Sequence, residues 1–132
     1  MKRSFISLCL LTSLIAFTGC SNAGEKTASG VEVVPGIPVK NTVTLVDLGA
    51  TTCIPCKMMA PILEELKTQY QGRAQVIFID VWKKSEQAKH FQVSAIPTQI
   101  IYDRQGKEVF RHVGFLEKPA LVEQLDKLLA VK

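Results

Sequence analysis

Apolar runs and amphipathic stretches alternate along residues 41–132. Two apolar runs rich in β-branched residues are long enough for buried strands, and three stretches show helical spacing of apolar residues. Two further runs flank the turn sequence Asp103-Arg104-Gln105-Gly106 and predict a hairpin. The seven predicted elements are, in chain order, 42–48, 54–70, 75–81, 85–91, 98–102, 108–113 and 119–131. The order βαβαββα predicts an α/β domain whose mixed sheet is covered by helices on both faces.

The first twenty residues follow a different pattern. A basic start, Met1-Lys2-Arg3, precedes an apolar run that ends at Phe17. That run has the length of a signal-peptide core and not the roughly 20 residues of a membrane span. Residues 17–20 resemble the lipobox of bacterial lipoproteins, which implies a signal peptide over 1–19 and lipidation of Cys20. Ordinary signal cleavage nearby is the alternative.

The composition predicts one folded unit after the signal. Residues 20–40 are rich in small residues and turn formers and are interpreted as a tether, followed by a domain over 41–132. The 113 residues after position 19 suffice for one domain with a core but not for two. The charges are interspersed, so we expect no nucleic-acid partner, and we expect a monomer.

The most informative motif is Cys53-Ile54-Pro55-Cys56, at the junction of a predicted strand and a predicted helix. Backbone amides and the helix dipole favour a thiolate at a helix N-terminus. Cys53, the outer cysteine, is therefore the candidate nucleophile. One helical turn brings Cys56 within reach of a mixed disulfide on Cys53, so that it can release the bound partner.

Other uses of a CxxC motif remain open. It can be half of a zinc site, a structural disulfide or a copper site, although no His or Met accompanies it at a suitable spacing. Cleavage of the signal peptide would remove Cys9, and lipidation would modify the thiol of Cys20. Only Cys53 and Cys56 would then remain as free thiols. This count favours a redox pair that works outside the cytosol.

The motifs together resemble those of the thioredoxin family over residues 41–132. The redox segment is similar in three parts, Leu45-Val46-Asp47, residues 53–58 and Ala60-Pro61-Ile62-Leu63. Ala95-Ile96-Pro97-Thr98 is similar to the family's cis-proline loop, and Val113-Gly114 to the turn before its last helix. The resemblance implies a thioredoxin fold in which the N-terminal strand and helix are shortened.

The resemblance also implies roles for single residues. Asp47 would be a buried carboxyl with a raised pKa that exchanges a proton with Cys56, and Lys57 would lie near enough to moderate that shift. A strand-end cap and a surface charge are the alternatives for Asp47 and Lys57. Pro97 would be cis and leave the backbone of Ile96 free to pair with substrate, and an ordinary turn proline is the alternative.

The surface beside the cysteines is expected to touch the partner. Pro55 stiffens the dithiol loop, and Ile54 places a β-branched apolar side chain where the family usually has glycine. Thr52 replaces the family's tryptophan before the first cysteine, and the only tryptophan is Trp82. The family's redox potential is therefore not transferable to this chain.

The implied activity is thiol-disulfide exchange that reduces disulfides of envelope proteins, without a metal or other cofactor. A membrane thiol relay is the expected electron donor. The expected location is the bacterial cell envelope, lipid-anchored and facing the periplasm, with the outer membrane favoured in a Gram-negative cell.

Two other functions remain as alternatives. One is a disulfide oxidase, although oxidising members of the family usually carry His where this chain has Pro55. A reduction potential of about −270 mV would indicate a reductase, and one of about −120 mV would indicate an oxidase. The other is a non-catalytic lipoprotein with a structural or metal-binding CxxC.

Overall fold

The structure, a computed structural model, describes residues 36–131. Its elements are β1 (Val43–Gly49), α1 (Ile54–Gln69), β2 (Ala74–Asp80), α2 (Ser85–His90), β3 (Thr98–Tyr102), β4 (Glu108–Val113) and α3 (Lys118–Ala130). The predicted order is confirmed, and the ends of the elements differ from the predicted ones by no more than one residue. The predicted signal peptide, Cys20 and the tether as far as residue 35 lie outside the described residues.

The four strands form one mixed sheet in the order β2-β1-β3-β4. Strand β1 pairs in parallel with β2 and antiparallel with β3, and β3 continues antiparallel into β4. Because β1 lies inside the sheet and has helices on both faces, all of its residues are buried. This explains why β1 appears in the sequence as a nearly continuous apolar run.

Helices cover both faces of the sheet, which confirms the predicted architecture. Side chains alternate between the faces along β1, so Leu45 packs in the layer of α1 and α3, whereas Val46 packs in the layer of α2. The α1 and α3 layer contains Leu66 and Leu121, both fully buried. Asp47 follows Leu45 on the same face, so its carboxyl group points toward the layer of α1.

The peptide bond before Pro97 is cis, as expected from the sequence. The bond between Ile37 and Pro38 is also cis, and nothing in the sequence predicted this. Helix α1 continues through Pro61, which is exposed, to Gln69. Among residues 36–131, no helix is both long enough and apolar enough to cross a membrane.

Candidate active site

The two cysteines lie where β1 passes into α1. Cys53 is the N-cap residue of α1, with extended backbone angles (φ −80°, ψ 127°), and Cys56 lies in the first turn. The amide of Lys57 donates to the carbonyl of Cys53 at 3.0 Å, which is the first hydrogen bond of the helix. Proline near the start of the helix suits this position, because an amide there would have no partner within the helix.

The two thiols differ in their exposure. Both are free, but Cys53 is partly exposed, whereas Cys56 is 3 % exposed. Burial raises the pKa of the Cys56 thiol, and a hydrogen bond with Cys53 raises it further, while a backbone hydrogen bond from Ala50 acts in the opposite direction. A partner protein can therefore reach Cys53 first, and Cys56 keeps its proton until a base removes it.

Gly49 leaves the space that the Cys56 sulfur occupies. A Cβ atom at this position would lie 3.1 Å from Cys56 Sγ and 3.1 Å from Phe78 Cε2. These separations are shorter than ordinary van der Waals contact, so any side chain at Gly49 would press on the inner cysteine. Phe78 and the Cys56 sulfur therefore pack against the bare backbone of Gly49.

Asp47 is fully buried in β1, and among residues 36–131 its side chain has one hydrogen-bond partner. The side-chain amide of Gln99 on β3 donates to Asp47 Oδ1 at 2.8 Å. Burial raises the pKa of Asp47 from 3.8 to about 6, against the opposing effect of the Gln99 hydrogen bond. The charge of Asp47 also raises the pKa of the Cys56 thiol. A carboxyl group with this pKa can both take and release a proton near neutral pH.

Lys57 lies on the surface of α1, and its expected effect on the pKa of Asp47 stays a prediction. Its side chain is exposed, and within residues 36–131 no ion pair joins it to Asp47. Lys57 instead lines an apolar cleft of about 280 Å³ together with Cys56, Ala60 and Phe78. The polar partner of Asp47 is the neutral amide of Gln99.

The cis-proline loop lies at the same end of the sheet as the cysteines. Thr98 pairs in register with Leu48, which places Pro97 next to the end of β1. The amide of Gly114 donates to the carbonyl of Pro97 at 2.8 Å, and the hydroxyl of Thr98 donates to the carbonyl of Ala95 at 2.6 Å. These bonds fix the loop on both sides of Ile96.

Ile54 and Pro55 are exposed on the dithiol loop, and Ile54 is 75 % exposed. The backbone of Ile96 makes no backbone hydrogen bond to any other described residue. Both the surface and the free backbone that a bound segment would need are therefore available.

Asp80 ties the loop before Cys53 to the end of β2. Its Oδ2 atom accepts hydrogen bonds from the amide of Thr51 at 3.1 Å and from its hydroxyl at 2.9 Å. Its Oδ1 atom accepts from the amides of Trp82 and Lys83, each at 3.1 Å. Desolvation acts to raise the pKa of Asp80, but these hydrogen bonds lower it to about 2. Asp80 thus stays charged and fixes the approach to the helix.

Three features of the site were not identified from the sequence. Gln99 is a polar residue within a fully buried strand, and this is the signal that could have indicated a buried hydrogen bond. Gly49 gave no such signal, because its role depends on a contact with Cys56. Trp82 is 64 % exposed on the turn that Asp80 caps, beside a groove of about 230 Å³ that Ile96 also lines.

Metal binding was one alternative for the CxxC motif. Over residues 36–131, no group of three or more His, Cys, Asp or Glu side chains is placed to hold a metal ion.

The buried charge of Asp47 predicts an unusual dependence of stability on pH. Its pKa rises on folding from 3.8 to about 6, so the folded chain binds more protons than the unfolded chain between these values. The free energy of unfolding therefore falls as the pH rises through this range. Asp47→Asn should raise the free energy of unfolding at neutral pH by about 1–3 kcal/mol. The gain should fade as the pH falls through 6 toward 4, as measured by urea unfolding.

A matched control removes a carboxyl group from the surface. Glu123 is exposed on α3, so Glu123→Gln should leave the pH dependence of unfolding unchanged. Equal stability of Asp47→Asn and the unmodified chain at neutral pH would show that burial of this carboxylate is not costly.

Comparison with known proteins agrees with this geometry. A family model described as Thioredoxin matches residues 31–127. Thioredoxin of Staphylococcus aureus is 45 % identical over 91 residues, which cover 69 % of this chain and 86 % of the relative.

Solved structures show the same similarity. Fasciola hepatica thioredoxin is 30 % identical with a TM-score of 0.60, over 67 % of this chain and 83 % of that one. The reduced Schistosoma mansoni thioredoxin pre-protein is 34 % identical with a TM-score of 0.60, over 69 % of this chain and 83 % of that one. With a CxxC motif at the N-terminus of α1 and a cis-proline loop beside it, the chain belongs to the thioredoxin family of thiol-disulfide oxidoreductases.

Proposed function

We propose that this protein is a membrane-tethered protein-disulfide reductase of the bacterial cell envelope. The observation that carries the proposal is the unequal exposure of two free thiols at a helix N-terminus, with Cys53 accessible and Cys56 buried. An accessible thiol can attack a partner's disulfide, and a sheltered one can resolve the adduct without reacting first with other molecules.

The reaction has two exchange steps. The Cys53 thiolate attacks one sulfur of the substrate disulfide, a bond forms between Cys53 and that sulfur, and the other substrate sulfur leaves as a thiolate. The Cys56 thiolate then attacks Cys53 and releases the second substrate thiolate. The substrate gains two electrons and the Cys53–Cys56 pair loses two, so the pair must afterwards be reduced by another dithiol.

Asp47 is proposed to take the proton of Cys56 before the second step. It lies beneath α1, its charge acts on the Cys56 thiol, and its pKa of about 6 suits proton transfer near neutral pH. Lys57 is proposed to act at the rim of the site, because it is exposed and lines the cleft beside Cys56. That position suits contact with the partner better than control of Asp47.

The substrate is proposed to bind across the dithiol loop and the cis-proline loop. Ile54 and Pro55 offer an exposed apolar surface, and the backbone of Ile96 can pair with an extended segment as an added strand. Pro97 fixes the course of the backbone at that point. In this mode of binding the contacts are hydrogen bonds to the substrate backbone, so substrates with different side chains can bind. This suits a reductase with several protein clients.

The envelope location is proposed from the N-terminal sequence. The basic start, the apolar run and residues 17–20 together support export, lipidation of Cys20 and a tether over residues 20–40. A dithiol outside the cytosol has no access to cytosolic reductants, so a thiol relay in the membrane is the proposed electron donor.

The order of attack can be tested by trapping. With insulin as substrate and dithiothreitol as reductant, the full chain in detergent micelles should reduce insulin, and Cys53→Ser should lose this activity. For trapping, the dithiothreitol is removed after the chain has been reduced. Cys56→Ser then keeps the attacking thiol but cannot release the partner, so it should accumulate a mixed disulfide with insulin on non-reducing gels. The complementary variant Cys53→Ser serves as the matched control and should form little adduct. Equal activity of Cys53→Ser and the unmodified chain would contradict a redox function for this motif.

Lipidation can be tested separately in bacterial cells supplied with labelled palmitate. The unmodified chain should carry the label and sediment with membranes, whereas Cys20→Ser should lose the label. Cys9→Ser is the matched control, because Cys9 lies inside the predicted signal peptide and should not matter. A label that persists in Cys20→Ser would exclude Cys20 as the lipidated residue.

A further inference from the structure

Gln99 and Asp47 form a hydrogen-bonded polar pair inside the sheet. They are directly opposite in the antiparallel register of β1 and β3, so their side chains leave the same face next to each other. Both residues are fully buried, and the Gln99 Nε2 atom donates to Asp47 Oδ1 at 2.8 Å. A buried amide costs free energy unless it is hydrogen-bonded, so this contact accounts for the presence of Gln99.

The two oxygens of the Asp47 carboxyl group are not equivalent. Oδ1 accepts from Gln99, whereas Oδ2 is buried without a hydrogen-bond partner among residues 36–131. The carbonyl oxygen of Gln99, Oε1, is likewise buried and unpartnered within the described residues. Because Oδ1 already accepts a hydrogen bond, a proton binds more favourably on Oδ2. A proton on Oδ2 also gives the carboxyl group an O–H donor among acceptor oxygens that otherwise have none.

The other groups packed around Asp47 offer no second hydrogen-bond donor to its carboxyl group among residues 36–131. In β2 the register partner of Asp47 is Phe78, which does not titrate, and the residues of α3 buried in this layer are Leu121 and Leu125. From α1 the titratable group that acts together with Asp47 is the Cys56 thiol. Lys57, on the same helix, is exposed and forms no ion pair with Asp47 in the described part of the chain.

We propose that Gln99 is a positioning residue for the proton transfer, which holds Asp47 through Oδ1 and leaves Oδ2 as the oxygen that takes the proton of Cys56. This inference rests on the proposed function and deepens it. In the resolving step the proton passes from Cys56 Sγ to Asp47 Oδ2, the Cys56 thiolate forms a bond with Cys53, and the bond between Cys53 and the substrate sulfur breaks. A neutral donor also favours the carboxylate less than a lysine ammonium would, which keeps the carboxyl group able to hold a proton near neutral pH.

The proposal can be tested by following the Asp47 carboxyl carbon with NMR during a pH titration of the reduced full chain in detergent micelles. Gln99→Leu removes the donor and keeps a similar volume, so the midpoint for Asp47 should rise by about 1 on the pH scale. Gln99→Glu places a second acid at the contact and should raise the midpoint further, because two adjacent carboxyl groups cannot both ionise easily. Gln87→Leu is the matched control, since Gln87 is also a buried glutamine but lies on α2, across the sheet.

The unmodified chain provides a readout that does not depend on whether a variant folds. The side-chain amide resonance of Gln99 should move with the same midpoint as the Asp47 carboxyl carbon, and it should lose this transition in Asp47→Asn. The side-chain amide of Gln87 should show no such transition. A Gln99 amide that does not follow Asp47, or an unchanged midpoint in folded Gln99→Leu, would overturn the proposal.

These NMR readouts measure protonation and not turnover. A failure of insulin reduction would therefore count against the proposed reductase. The NMR midpoint of Asp47 in Gln99→Leu would still decide whether Gln99 controls the protonation of Asp47. If the proposal is correct, the pH profile for release of the mixed disulfide should move in Gln99→Leu in the same direction as the Asp47 midpoint.

Discussion

Burial of the Asp47 carboxyl group within the central strand is the constraint around which the site is organised. A carboxylate in this position is costly, because in the described part of the chain one hydrogen bond, from Gln99, takes the place of water. The sheet tolerates this cost since β1 has a paired strand on each side and a helical layer on each face. The burial that makes the charged form of Asp47 costly to the fold also raises its pKa, so the carboxyl group can hold a proton near neutral pH.

The same burial separates the roles of the two sulfurs. Cys56 shares the layer of α1 with Asp47 and is held against Gly49, whereas Cys53 caps the helix and reaches the surface. Asp80 holds the loop between β1 and Cys53 through its hydrogen bonds with Thr51. These bonds help to position the outer thiol. A rigid approach to the helix suits a site where two sulfurs must meet the same partner in sequence.

Much of the fold could be predicted because the strands and helices differ in their apolar period. β1 and β2 are rich in β-branched residues, and helical spacing marks α1 and α3. The cysteines could be placed at the helix N-terminus for the same reason. The contacts of Asp47 could not be predicted, since its partner comes from β3, more than fifty positions away. The resemblance to the family suggested Lys57 as a group near Asp47, and Lys57 is exposed in the first turn of α1.

The most direct test of this account measures how fast each thiol reacts. The reduced full chain would be exposed briefly to iodoacetamide at neutral pH, and the modified cysteines would be identified by mass spectrometry of peptides. The account predicts that Cys53 is alkylated first and that Cys56 remains unmodified until the chain is unfolded. Equal rates at the two cysteines, or faster alkylation of Cys56, would contradict it.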